Sequence, residues 1–177
     1  MSIPVNRETN PEVWLRGPLP GIPDSLQPVA HTLLQAKEEL HFLMKDFPEA
    51  FLWERPAGVA SVGFHLQHLA GSLDRLFTYA RGAALSHAQL KVLSEEGRPP
   101  ETDNTARDLL EGFDRQVDLA LDQLGKTSEQ TIGETRLVGR AGIPSTQFGL
   151  LVHAAEHTMR HLGQLLVTAR FLSDSIK

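Results

Sequence analysis

The sequence contains no cysteine. Disulfides, thiolate metal ligands and a cysteine nucleophile are therefore excluded, and a reducing cytoplasm is the expected compartment. Long apolar runs are also missing: none approaches the ~20 residues needed to span a bilayer, so no membrane association is expected. The opening stretch, MSIPVNRETN, lacks the apolar segment of a signal peptide. Positive charge is scarce as well. Lys and Arg total 17 against 22 Asp and Glu, a formal net charge of −5. The basic residues are scattered, whereas nucleic-acid binding needs clustered cations to neutralise phosphates, so no nucleic acid is expected as a partner. What is present suffices for one folded domain: 177 residues, 41% of them apolar, enough for a core and outside the range of disordered chains.

Residues 1–23 include Pro4, Pro11, Pro18, Pro20 and Pro23, which break helices. They read as an extended N-terminal arm with Trp14 and Leu15 tucked onto the body, and residues 24–177 as the domain. Asp24 or Ser25 opens a helix to about Asp46, with Val29, Leu33, Ala36, Leu40, Leu43 and Phe47 on one stripe. Ser61 is a good N-cap for a second helix to about Arg81, burying Leu66, Leu69, Leu73, Leu76, Phe77 and Ala80. Ser86 can cap a short helix to about Glu96, ended by Gly97-Arg98-Pro99-Pro100. Asp103 begins another to about Leu124, after which Gly125 suits the left-handed position that closes helices. Thr135–Val138 fits a small strand or hairpin arm. Ser145 caps the last long helix, to about Leu172, with Phe148, Leu151, Ala155, Leu162, Leu165 and Leu166 inward. The fold class read from this pattern is all-α: a four-helix bundle with one short extra helix.

Histidine placement carries the chemistry. His153, His157 and His161 are spaced by four on the last helix, and residues four apart stack on one face. Two such imidazoles can converge on one ion at about 2.0–2.1 Å. His153 and His161 are two turns apart, about 12 Å along the axis, so all three cannot share it easily. With eight histidines in 177 residues, one such pair arises by chance roughly 0.35 times and two overlapping pairs only roughly 0.015 times. The segment is not His-Glu-x-x-His, because Thr158, Met159 and Arg160 separate His157 from His161, so the general base of metalloproteases is missing from that place. On the second helix His68 sits on the apolar side and His65 lies one turn earlier. Taken singly, each histidine is more often a hydrogen-bonded core residue than a ligand. His31, His41 and His87 have no converging partner and read as surface residues.

The segment SVGFHLQHLA (61–70), followed some 90 residues later by HTMRHLGQL (157–165), resembles the DinB/YfiT-like superfamily. The resemblance covers about residues 25–172, with these two segments its specific part. It implies a four-helix bundle with one ligand histidine on the second helix, matched by His68, and a pair on the last, matched by His157 and His161. It further implies a divalent metal, nickel or zinc, with open positions for water or a small-molecule substrate. Gly163-Gln164 matches the Gly-Gln that trails the pair in the family. One departure stands out: members often carry an acidic residue immediately after the first histidine of the pair, where this chain has Thr158. Glu156 precedes His157 instead.

His65, His153 and Gln164 are the residues placed to support those ligands. Gln164 shares the face of His161 and could orient an imidazole, or simply bond backbone. His153 is read as a core histidine ahead of a proton shuttle. The expected function is a metal-dependent enzyme, since three neutral histidines plus an open position is the ligand set of catalytic zinc. Within the resembled superfamily that chemistry includes transferases and isomerases using a low-molecular-weight thiol, and a hydrolase is the near alternative. Arg75, Arg81 and Arg160 are candidates for meeting a thiol cofactor's carboxylates. A second reading is a non-catalytic metal-binding or stress-response bundle, closed by His65 or His153 as a fourth ligand. A third is a homodimer whose histidines only pack, with Trp14 or Trp53 available for an interface.

Overall fold

The computed structural model describes residues 11–100 and 105–174. Each helix forms where the apolar spacing predicts, and α2, α3 and α4 each begin at a side chain that caps a free N–H. A 3-10 turn at Asp24–Leu26 leads into α1 (Gln27–Met44). Pro28 falls in the first turn of α1, where a missing N–H costs nothing. Ser61 caps α2 (Val62–Ala80) by accepting from the Phe64 N–H at 3.1 Å. Ser86 and Gln89 form a reciprocal capping box at the start of the short α3 (His87–Glu95). Asp103 lies outside the described residues; Thr105, paired reciprocally with Asp108, caps α4 (Ala106–Lys126). The last helix, α5, spans Gln147–Asp174.

α2 packs against both α4 and α5, and α1 packs against the same two helices from the other side. That arrangement is a four-helix bundle. Its centre holds Leu33 and Leu40 of α1, Leu66 and Leu69 of α2, Phe113 and Leu124 of α4, and Leu151 and Leu165 of α5, all fully buried. Each contributes roughly 1.5–3 kcal/mol of hydrophobic stabilisation. α3 buries no residue and lies outside the bundle against α2. No helix among the described residues is long and apolar enough to cross a membrane.

Between α4 and α5 the chain forms an antiparallel hairpin, β1 (Thr135–Val138) and β2 (Ile143–Thr146), in register from Thr135↔Thr146 to Val138↔Ile143. The Arg136 Nε donates to the Ala80 carbonyl at 3.0 Å, tying the hairpin to the end of α2.

Four local expectations are corrected. Gly125 does not close α4; it is within the helix, where its missing Cβ admits the Gly21 carbonyl, which would stand 3.2 Å from that atom. Ser145 belongs to β2, and the Thr146 hydroxyl accepts from the Gly149 N–H at 2.9 Å instead. In the arm, Val13 is buried while Trp14 and Leu15 face solvent. The reason is the 3-10 turn at Val13–Arg16, which points one side chain of the four inward; residues 1–10 of the expected arm lie outside the described residues. Phe148 is exposed, because Leu150 and Leu151 take the inward positions of that turn of α5.

Candidate metal centre

α2 and α5 lie in direct contact, and their histidines meet at that contact. His68, His157 and His161 each offer one ring nitrogen to a group lying within 4.8 Å of one another. The His68 Nε2 and His157 Nε2 are 2.9 Å apart. The ring of His161 is centred 4.3 Å from that of His68 and 4.5 Å from that of His157. The pair on α5 converges because residues four apart share a face; His68 joins it because α2 turns its His68 side toward α5. Phe64 stacks on the His68 ring at 5.3 Å and covers one side of the cluster.

The other ring nitrogens are held individually. The His68 Nδ1 lies 2.8 Å from the Glu96 Oε2, and a carboxylate can only accept, so this nitrogen carries the proton. The second oxygen of Glu96 accepts from Arg75 at 2.6 Å. The His161 Nδ1 is 3.2 Å from the His65 Nδ1, which leaves Nε2 as the nitrogen of His161 without a protein partner. The Nδ1 of His157 is buried with no hydrogen-bond partner.

Burial penalises the imidazolium forms. It lowers His65 to about 4, with His68 adding to the shift, and lowers His161 to about 4, with His68, His157 and His65 adding. His157 is lowered too, first by burial and then by His68. Burial pushes the Glu96 carboxyl up, but the hydrogen bonds from His68 and Arg75 together outweigh it and hold it below the ordinary range. His65, His157 and His161 are thus held toward the neutral form, beside an ionised carboxylate. Neutral nitrogen donors are what a borderline divalent ion such as zinc or nickel requires.

Other residues singled out by sequence fall elsewhere. His153 is exposed and pairs with Glu156 at 3.4 Å, so it is neither a core residue nor within the cluster. His65 is buried and supports His161. Gln164 is exposed and forms no hydrogen bond to a histidine of the cluster. Thr158 is buried, its hydroxyl donating to the Ala154 carbonyl at 2.8 Å, and Glu156 is exposed and bound to Arg160. Neither position can place a carboxylate in the site. Arg75 is buried against Glu96, while Arg81 bonds Gln123 and Thr78. His31 bonds the Gly17 carbonyl at 3.1 Å, and exposed His41 meets Asp114 at 2.8 Å. Trp53 packs its ring against Gly63 rather than serving an exposed surface.

Glu96 is the functional residue that sequence reasoning missed. Its only signal was its place at the end of α3 before Gly97, and nothing local says which helix its side chain meets. Two hollows, of about 750 and 530 Å³, open on the bundle, and no histidine of the cluster lines either, although Gln67, Gly71, Arg75 and Glu96 line the second. The donor chemistry, not volume, marks the site.

Comparison with known proteins agrees with this architecture. The crystal structure titled conserved protein of locus from Enterococcus faecalis superposes with a TM-score of 0.65 at 21% identity, covering 82% of this chain and 95% of that one, a likeness of fold. No curated protein matches the chain. A family model described as the DinB superfamily matches residues 32–165, a span that holds all three clustered histidines and most of the bundle. By that match the chain belongs to the DinB superfamily.

Proposed function

We propose that His68, His157 and His161 bind one divalent metal ion, zinc or nickel, and that the centre serves a metal-dependent enzyme acting on a small molecule. The observation that carries this reading is the convergence of three imidazole nitrogens within 4.8 Å from two helices. A bound ion would supply Lewis acidity to a thiol or a water. The chain's own contribution is to hold His157 and His161 toward the neutral form, to fix the rings and to shield one side with Phe64. No fourth histidine or carboxylate joins the group among the described residues: His65 is engaged with His161, and half-exposed His153, its ring 5.4 Å from that of His157, meets Glu156. An open coordination position supports an enzyme over a closed, purely structural site. A thiol-cofactor transferase and a hydrolase are both compatible with it.

The test is metal binding by protein purified without an affinity tag. Elemental analysis should find a divalent ion, and added zinc should raise the melting temperature. A ligand at 100 times its Kd stabilises the folded state by about 2.7 kcal/mol. His157→Ala should abolish that rise and His87→Ala, on the exposed α3, should keep it. Equal responses in both variants would put the ion elsewhere.

A further inference from the structure

The bundle gives no reason of its own to bury Glu96 and Arg75. Their side chains are only 7% and 11% exposed, and α3, which leads to Glu96, buries nothing. Taking a charged pair out of water costs desolvation that its attraction repays poorly, so a buried pair is weak evidence for a stabilising role. Yet the chain is shaped around this one. At Gly71 a Cβ would stand 2.5 Å from the Glu96 Oε1 and 2.7 Å from the Arg75 Nη1, so glycine leaves room for the pair where it stands. One turn earlier on α2, the Gln67 side-chain Oε1 accepts from the Gly97 N–H at 2.8 Å, and its Nε2 donates to the Arg98 carbonyl at 3.1 Å. Gly97 itself is left-handed, at φ +83°, which lets the backbone turn sharply just after Glu96. Gln67, Gly71 and Arg75 are spaced by four and form one stripe along α2 beside His68. Their combined effect is to press one carboxylate oxygen onto the His68 Nδ1.

We infer that Glu96, clamped by Arg75 and admitted by Gly71, is a positioning residue for the metal ligand His68. By accepting from Nδ1–H it fixes the tautomer whose Nε2 lone pair faces His157 and His161, and it makes that nitrogen a stronger donor. Outer carboxylates of this kind change metal affinity by about 10–100-fold when removed. The inference rests on the metal-centre reading above, and the experiment separates the two.

Zinc dissociation constants would be measured by competition with a chromophoric chelator for wild type, Glu96→Gln and His157→Ala. Alongside, the melting temperatures of the zinc-free forms and the imidazole tautomers from long-range proton–nitrogen NMR would be recorded. Glu96→Gln should weaken zinc by about 10–100-fold, while the zinc-free melting temperature falls because the buried Arg75 loses its carboxylate. His68 should be the Nδ1–H tautomer in wild type and shift toward Nε2–H in the variant. Wild-type binding with Glu96→Gln unchanged in affinity and tautomer would overturn the role of Glu96 and leave the metal centre standing. No zinc binding by wild type would remove the metal centre and the inference with it. Should Glu96→Gln fail to fold, the wild-type spectrum still decides, because an Nε2–H tautomer at His68 there contradicts the proposed contact.

Discussion

His65 and His161 titrate near 4 in the folded chain, chiefly because burial penalises the imidazolium. Their unfolded values lie near ~6.5. Between these limits the unfolded chain binds more protons, so stability rises with pH across the window and drains away as pH falls from about 6.5 toward 4. Glu96 acts with the same sign at lower pH, a depressed carboxylate whose contribution is lost only below its ordinary value of 4.5. The range from pH 6.5 to 5 therefore isolates the histidines. Urea unfolding of chelator-treated protein should show a falling midpoint over that range, and a flat profile would mean that the imidazoles are not buried. The same shifts move proton competition for the ion. Unperturbed histidines would release metal as pH falls through about 6 to 5. With His161 lowered to about 4 and His157 lowered as well, zinc should stay bound through pH 5 when it exceeds its Kd. Release centred near pH 6 under those conditions would show that the ligands titrate like free histidine.

α2 carries most of the local devices, since it presents His65 and His68 on one side and the stripe that holds Glu96 on another. Its start is fixed by the Ser61 cap and by the fit of Gly63 against Trp53, whose ring atoms would stand 2.7 Å from an added Cβ. Ser61→Ala should cost about 1 kcal/mol from the lost cap. Gly63→Ala should cost more, about 1–3 kcal/mol, because the ring must shift in a packed interior. Thermal unfolding of the two variants without metal checks the order. A Gly63→Ala variant as stable as wild type would show that Trp53 is loosely held. α3 plays a different part. It adds nothing to the core, and its end delivers Glu96.

As a whole the molecule is an acidic helical bundle in which contacts between α2 and α5 join residues 89 apart in sequence, as at His68 and His157. A net charge of −5 without a basic cluster offers little to a polyanion. Duplex DNA should not be retained at 50 mM salt, a condition that favours any electrostatic binding. Retention that falls steeply as salt is raised would reveal a basic surface and contradict the acidic reading.

Helix number, the inward stripes and the α5 histidine pair were legible in sequence because each depends on spacing within one element. Periodicity near 3.6 dictates which residues share a face, and a serine before an apolar run supplies a cap wherever that run folds. His68 joined the candidate set through its apolar face and the resemblance to a known family, and the structure brings it to the pair. Choices between equivalent local patterns were not legible. His65 and His153 each lie one turn before a candidate ligand, yet packing buries His65 against His161 and leaves His153 in solvent. Gly125 looked like a helix end, and only the approach of Gly21 explains a glycine there. Glu96 reaches His68 across 28 residues, through a turn whose direction is set by Gln67 and Gly97. Sequence alone determined the faces that each helix offers. The tertiary structure decided which faces meet, because that depends on how side chains of distant elements fill one another's spaces, and spacing along a single chain segment does not encode it.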